Sequence, residues 1–140
     1  MALTLEIITP DGVVWHGADV EAVVLPASDG EIQVLPGHIP LITMLKEGAV
    51  GVLKNGEQEE LAIDRGYARI MGDVVSVLTE AAIDVGKIDA EEVERAKEDA
   101  LKAIEEARKH QSVDESEMER LQSVARFAIA QQLAKAKKKS

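Results

Sequence analysis

The sequence predicts an α+β chain divided by segment: an N-terminal antiparallel β-sandwich over residues 1–85, then an antiparallel two-helix hairpin over residues 86–140. Three observations carry that prediction. Short alternating or β-branched apolar runs recur about every 8–12 residues up to Val85, with turn dipeptides between them. Beyond Val85 the apolar spacing changes to the helical period of about 3.6 residues. The charge changes as well: residues 1–85 hold 4 Lys and Arg against 14 Asp and Glu, whereas residues 86–140 hold 12 of each.

Leu3, Leu5 and Ile7 alternate with Thr4, Glu6 and Ile8, a strand that Pro10 ends. Asp11-Gly12 turns into Val13-Val14-Trp15, and Val20 to Leu25 gives a third strand before the Ser28-Asp29-Gly30 turn. The stretch from Gly30 to Gly48 then breaks at Pro36-Gly37 and resumes around Pro40. Both prolines lack an N–H and fix φ, and Gly37 allows angles that other residues avoid. A stiff segment with His38 at its tip is therefore expected between two strands. Interrupting strand continuity among Val, Leu and Ile implies a loop presented to a partner. Ala49 to Leu53 and Glu60 to Ile63 flank an Asn55-Gly56 hairpin turn; Tyr67 to Met71 and Val74 to Leu78 flank Gly72-Asp73.

In the second segment Val93, Ala96, Ala100, Ala103, Ile104 and Ala107 mark one helix face, with Asp89 and Glu92 as its start signal. Ser112 with Glu115 reads as a capping box for a second helix, whose inward residues are Met118, Leu121, Ala125, Ala128 and Ile129. Each helix has about 22 residues, hence about 33 Å of length, and the short link makes the pair antiparallel. The seam is mostly alanine, which favours helix but buries little area. Such a hairpin suits an arm that opens without its helices melting; a static packing arm is the other reading.

At 140 residues the chain is one domain, or a small domain with an appendage. It has no cysteine, so no disulfide framework or thiolate metal site is available. The N-terminus lacks the basic and apolar regions of a signal peptide, and no run of about 18 apolar residues occurs, so a soluble chain is expected. A net charge of −10 with single copies of Trp15, Tyr67 and Phe127 argues against nucleic acid. His16, His38 and His110 fall in different elements, and no nucleophile elbow or phosphate-binding glycine loop is present. The pairs Glu59-Glu60 and Glu91-Glu92 read as solvated faces. No constellation for catalysis emerges. On residues alone this is a binding or structural module.

The run Gly30-Glu31-Ile32-Gln33-Val34-Leu35-Pro36-Gly37-His38-Ile39-Pro40-Leu41-Ile42-Thr43, with Ile7-Ile8-Thr9-Pro10-Asp11-Gly12 before it and a hairpin at the end, resembles the epsilon subunit of F-type ATP synthases. The resemblance covers essentially the whole chain. It implies a non-catalytic central-stalk subunit turning with gamma, its sandwich coupling rotation of the membrane c-ring to the catalytic head. Glu31, Pro36, Gly37, His38 and Pro40 would form the contact loop on the ring. The hairpin would be regulatory: folded down on the sandwich, or extended beside gamma among the alpha and beta subunits, where it inhibits ATP hydrolysis. The implied location is peripheral, on the cytoplasmic face of a bacterial inner membrane or the equivalent organelle face, without membrane insertion.

Two further stretches bear on that resemblance. Lys135, Lys137, Lys138 and Lys139 make a basic tail that, with Arg120 and Arg126, would approach acidic segments of beta in the extended state; complementing the helix dipole and adding solubility is the competing role. Some bacterial relatives bind ATP through an Ile/Leu-Asp-x-x-Arg-Ala motif. Here Ile88-Asp89 matches, but Arg95-Ala96 arrives three residues late, about 4.5 Å along the axis and about 60° around it. Glu92 stands where arginine is wanted, and Arg126 is the second-helix candidate. ATP binding is therefore expected to be weak or absent, and no cofactor is expected. Arg65-Gly66-Tyr67 departs from the Gly-Gly pattern of many relatives; Arg65 and Arg69 either pair locally, with acids such as Asp64, or sit at a subunit contact. Two other classes stay open on the residues: an acidic sandwich recognising a basic partner through the proline–glycine loop, and, last, an enzyme.

Overall fold

The computed structural model describes residues 2–110 and 114–139, the last three as backbone. Ten strands come first: β1 (Leu3–Thr9), β2 (Gly12–Val20), β3 (Ala22–Ala27), β4 (Gly30–Val34), β5 (Leu41–Leu45), β6 (Gly48–Lys54), β7 (Glu57–Ile63), β8 (Gly66–Met71), β9 (Val74–Thr79) and β10 (Ala82–Asp84). A single 3₁₀ turn at Val85–Lys87 leads to α1 (Ala90–His110) and α2 (Glu115–Lys139).

The strands form two layers, β10-β7-β6-β3-β4 and β5-β8-β9-β1-β2, joined where Ala27 of β3 meets Leu45 of β5. Alternation places Leu3, Leu5, Ile7, Leu61, Ile63, Ile70, Val75 and Val77 in one shared core. Asn55 and Gly56 both have positive φ, as the tight turn between β6 and β7 requires. The expected sandwich is present with one difference: β1 runs parallel to β9. Alternation assigns faces to a strand and carries no information about the direction of its neighbour.

The register exposes how the layers connect. Gly48 to Lys54 pairs with Ile63 to Glu57, and Leu41 to Leu45 pairs with Ile70 to Gly66, in one unbroken antiparallel register. β5–β6 and β7–β8 are thus two long strands, each crossing from one layer to the other at residues 46–47 and 64–65. β9 and β10 do the same beside them, across residues 80–81. Thr79 secures this corner: its hydroxyl donates to the Asp64 carbonyl at 2.8 Å and lies 3.2 Å from the carbonyls of Arg65 and Ala81. Gly66 is required there, because a Cβ would lie 1.9 Å from the Leu78 carbonyl oxygen.

Asp89 caps α1 by accepting from the amides of Glu91 and Glu92, as its spacing with Glu92 predicts. The Ser112 capping box lies outside the described residues; Asp114 accepts the Ser116 amide at the head of α2. The helices pair antiparallel, since Lys97 and Glu94 near the start of α1 bond Gln132 near the end of α2. The α1 face is as expected at Val93, Ala100, Ala103, Ile104 and Ala107, but Ala96 is exposed and half-buried Lys97 takes the adjoining seam position. α2 differs more. It packs on α1 through Ala125, Met118 and Leu121 and on the sheet and linker through Ala128, Ala134 and Phe127, while Ile129 is exposed.

Candidate functional site

The loop from Leu35 to Pro40 links β4, at the edge of one layer, to β5 in the other. Pro36 and Gly37 occupy the centre of a turn closed by the His38 amide on the Leu35 carbonyl at 3.1 Å, with Gly37 at φ 85°. Proline at the first central position and positive φ at the second are the requirements of a type II turn. His38 is half-buried, and its Nδ1 bonds the Ile39 carbonyl at 2.7 Å, so the ring is a local brace. Glu31 and Pro40 are exposed. The expected proline–glycine turn between the two strands is present.

Next to this loop lies a feature that the residue pattern did not single out. Ile39 is 74% exposed, Ile42 68% and Met44 64%, with Leu35 and Met71 also outward. Across the β5–β8 and β8–β9 ladders Ile42 pairs with Arg69, Met44 with Tyr67 and Met71 with Val74, so these strand side chains share one outer face. That face is largely apolar around Arg69, and no described element covers it. Isolated exposed apolar residues are ordinary, whereas several on one strand face make a candidate binding surface. The signal was in the sequence as the alternation of β5, which places Ile42 and Met44 on one face and buries Leu45 on the other.

The hairpin supplies the second candidate region. Asp64, at the corner between β7 and β8, is fully buried and accepts from Arg126 Nε at 2.6 Å, Arg126 Nη2 at 3.2 Å and Ser123 Oγ at 2.9 Å. Hydrogen bonding to Asp64, and then the charges of Asp64, Glu47 and Glu80, hold the Arg126 guanidinium above its ordinary value despite desolvation. Arg65 pairs with Glu47 instead, at 3.2 Å; only its backbone amide reaches Asp64. The cation serving Asp64 thus comes from the hairpin, not from the neighbouring arginines considered from sequence.

The structure does not gather the residues of the displaced nucleotide motif. Ile88 is buried against Val85 and Val93, the Asp89 carboxylate is spent on the α1 cap, and Arg95 and Ala96 face solvent. Arg126 is committed to Asp64, while Ile88 lies beside Lys135, more than two helical turns further along α2. Lys135 itself is half-buried and donates to the Ile88 carbonyl at 3.0 Å, so it ties the linker to α2 and is not part of a free tail. Lys137, Lys138 and Lys139 continue the helix as backbone. Among the described residues no cluster of three His, Asp or Glu side chains fits a metal ion, and no helix is long and apolar enough to cross a membrane.

Residues 2–85 match the family model described as the ATP synthase delta/epsilon chain, β-sandwich domain. The ATP synthase epsilon chain of a Hydrogenobaculum species is 37% identical over 118 residues, which is 84% of this chain and 85% of that one. That of Campylobacter lari is 43% identical over 103 residues, 73% of this chain and 78% of that one. The chain belongs to the ATP synthase epsilon family. A chain of the mitochondrial ATP synthase of Euglena gracilis shares the fold with a TM-score of 0.69 at 23% identity, over 94% of this chain and 79% of that one. Epsilon chains are non-catalytic subunits of their complex. That accords with a molecule whose candidate regions are a turn, an apolar face and an internal ion pair, all groups that bind or hold.

Proposed function

We propose that this chain is a central-stalk subunit of a proton-translocating F-type ATP synthase. In this reading the sandwich, residues 1–85, couples rotation of the c-ring to the catalytic head through gamma. The hairpin, residues 86–140, regulates ATP hydrolysis. The observation that carries the reading is the uncovered apolar edge of Ile39, Ile42, Met44, Tyr67 and Met71 beside a proline-stiffened turn. An apolar face takes gamma, a permanent companion, because leaving it in water is costly. The turn with Glu31, Pro36, Gly37, His38 and Pro40 takes the ring, where a segment transmitting torque has to resist bending. The hairpin, docked here on β6 and β7, is in the non-inhibiting arrangement; extended, it lies among alpha and beta with Lys137, Lys138 and Lys139 toward their acidic segments. The complex places the chain peripherally, on the cytoplasmic face of the membrane or its organelle equivalent.

The doublet Ile42→Asp with Met44→Asp tests this. Both positions point outward, so the sandwich should keep its thermal transition while gamma copurifies at least about tenfold less well. Undiminished recovery of gamma with the doublet would remove the basis of the assignment.

A further inference from the structure

We propose that Asp64, Ser123 and Arg126 form a polar latch that fixes the hairpin to the corner of the sandwich, so that breaking it is the step that frees the hairpin to lift. The proposal deepens the regulatory reading above and rests on it only for the consequence in the assembled enzyme.

The apolar part of the hairpin's docking combines Ala49, Ala62 and Ile83 of the sheet and Val85 and Ile88 of the linker with Val93, Phe127, Ala128 and Ala134 of the hairpin. The alanines bury little area each, and apolar contact is non-directional. Asp64 supplies a fixed point. Its amide donates to the Ala81 carbonyl and its own carbonyl accepts from Thr79, so the backbone is held where three strands turn from one layer to the other. The carboxylate, fully buried, then accepts three hydrogen bonds from α2 and a fourth from the Arg65 amide at 2.8 Å. Both side-chain partners, Ser123 and Arg126, lie within about one turn of a single helix. Lifting that helix therefore removes all three at once, and the contact behaves as a unit.

The latch is asymmetric. The Arg126 side chain is 22% exposed, and Glu47 and Glu80 lie near enough to raise its pKa, so without Asp64 it has other acids and solvent to turn to. Asp64 has no such alternative. Without Arg126 its buried charge regains full solvation only when α2 moves away. Arg126→Ala should thus open the hairpin more than Asp64→Asn does.

The chain has no cysteine, so Ala62→Cys places a single thiol under the hairpin, and its rate of labelling by a small disulfide reagent reports how often the full-length chain opens. Arg126→Ala in that background should speed labelling on the order of tenfold to a hundredfold, the loss of one partner from a buried pair discounted for the partial exposure of Arg126. Asp64→Asn should give a smaller acceleration. Arg120→Ala, which removes the exposed pair with Glu117 on the same helix, should leave the rate unchanged. Far-UV circular dichroism distinguishes lifting from melting, since lifting keeps both helices. An unchanged rate in Arg126→Ala, an equal acceleration in Arg120→Ala, or loss of helix with faster labelling would each overturn the latch. In assembled enzyme Arg126→Ala should lower ATP hydrolysis. Faster labelling with unaltered hydrolysis would leave the latch standing and refute the regulatory reading.

Discussion

Leu3, Leu5, Ile7, Leu25, Leu61 and Ile63 are removed from solvent inside the sandwich, whereas the hairpin meets that sandwich through a smaller cluster in which Ala49, Ala62, Ala128 and Ala134 sit beside Ile83, Val85 and Phe127. Each buried Leu or Ile is worth about 1.5–3 kcal/mol, against a fraction of that for an alanine methyl. Bulky apolar packing commits the first region to one structure. A smaller cluster with several alanines, together with a localised polar contact, holds the second region in place. The same chain thus contains a densely packed core and a more lightly held appendage.

The largest effect that would sharpen this contrast comes from the core. Leu61→Ala, at a β7 position facing the shared interior, should destabilise the chain by about 2–5 kcal/mol in denaturant titration, because a cavity adds to the lost transfer energy. Unfolding should take sandwich and hairpin together, since α2 has no sheet left to pack on. A smaller change at Leu61 than at an exposed position such as Val13 would erase the distinction between the regions.

A middle-sized effect belongs to the docking surface. Ala128→Leu adds three heavy atoms between α2 and the Ala62, Val85, Ile88 and Val93 cluster. Overpacking costs about 1–3 kcal/mol, and here the strain can be relieved by lifting the hairpin instead of unfolding the core. Thermal denaturation followed at Trp15 should shift little, while trypsin should cleave the hairpin faster. A Trp15 transition lowered as much as in Leu61→Ala would mean that the two regions share one cooperative unit.

These packing differences also explain what the sequence disclosed. Strand alternation and turn residues place nearly every strand, the proline–glycine turn and both helices, because those signals are local. The direction of β1 against β9 is a tertiary fact. α1 has one principal partner, yet its face was misplaced by one residue at Ala96, because Lys97 lays its stem in the seam and sends its ammonium to Glu94 and Gln132. α2 packs on two partners, so a search for one apolar stripe chose Ile129 and passed over fully buried Ala130. The sequence offers Asp64 as a local partner of Arg65 or Arg69, whereas its partner Arg126 lies 62 positions away. The Ile42–Met44 edge was legible in period but not in exposure, since alternation alone does not say which layer is covered.

The smallest effect tests whether polar contacts tune the helical pair as they hold its docking. Hydrogen bonds from Gln132 and then Lys97 keep the Glu94 carboxyl below the ordinary glutamate range. A group whose folded pKa is depressed stabilises the fold above its unfolded value and loses that contribution as pH falls through the folded one. The start of α1 should therefore loosen from the end of α2 only as pH drops below the usual glutamate range, and neutral pH should show no change. Amide exchange over residues 90–97, corrected for its intrinsic pH dependence, should accelerate in that acid window. Glu94→Gln should flatten the part of the profile due to this carboxyl, because an amide still accepts from Gln132 and Lys97 but does not titrate. Glu117, held low by Arg120 at the other end of α2, titrates in the same range but is remote from those amides. If the profile of Glu94→Gln overlaid that of the parent chain, the seam would be held by its apolar side chains, and the polar control of the hairpin would reduce to the contact at Asp64.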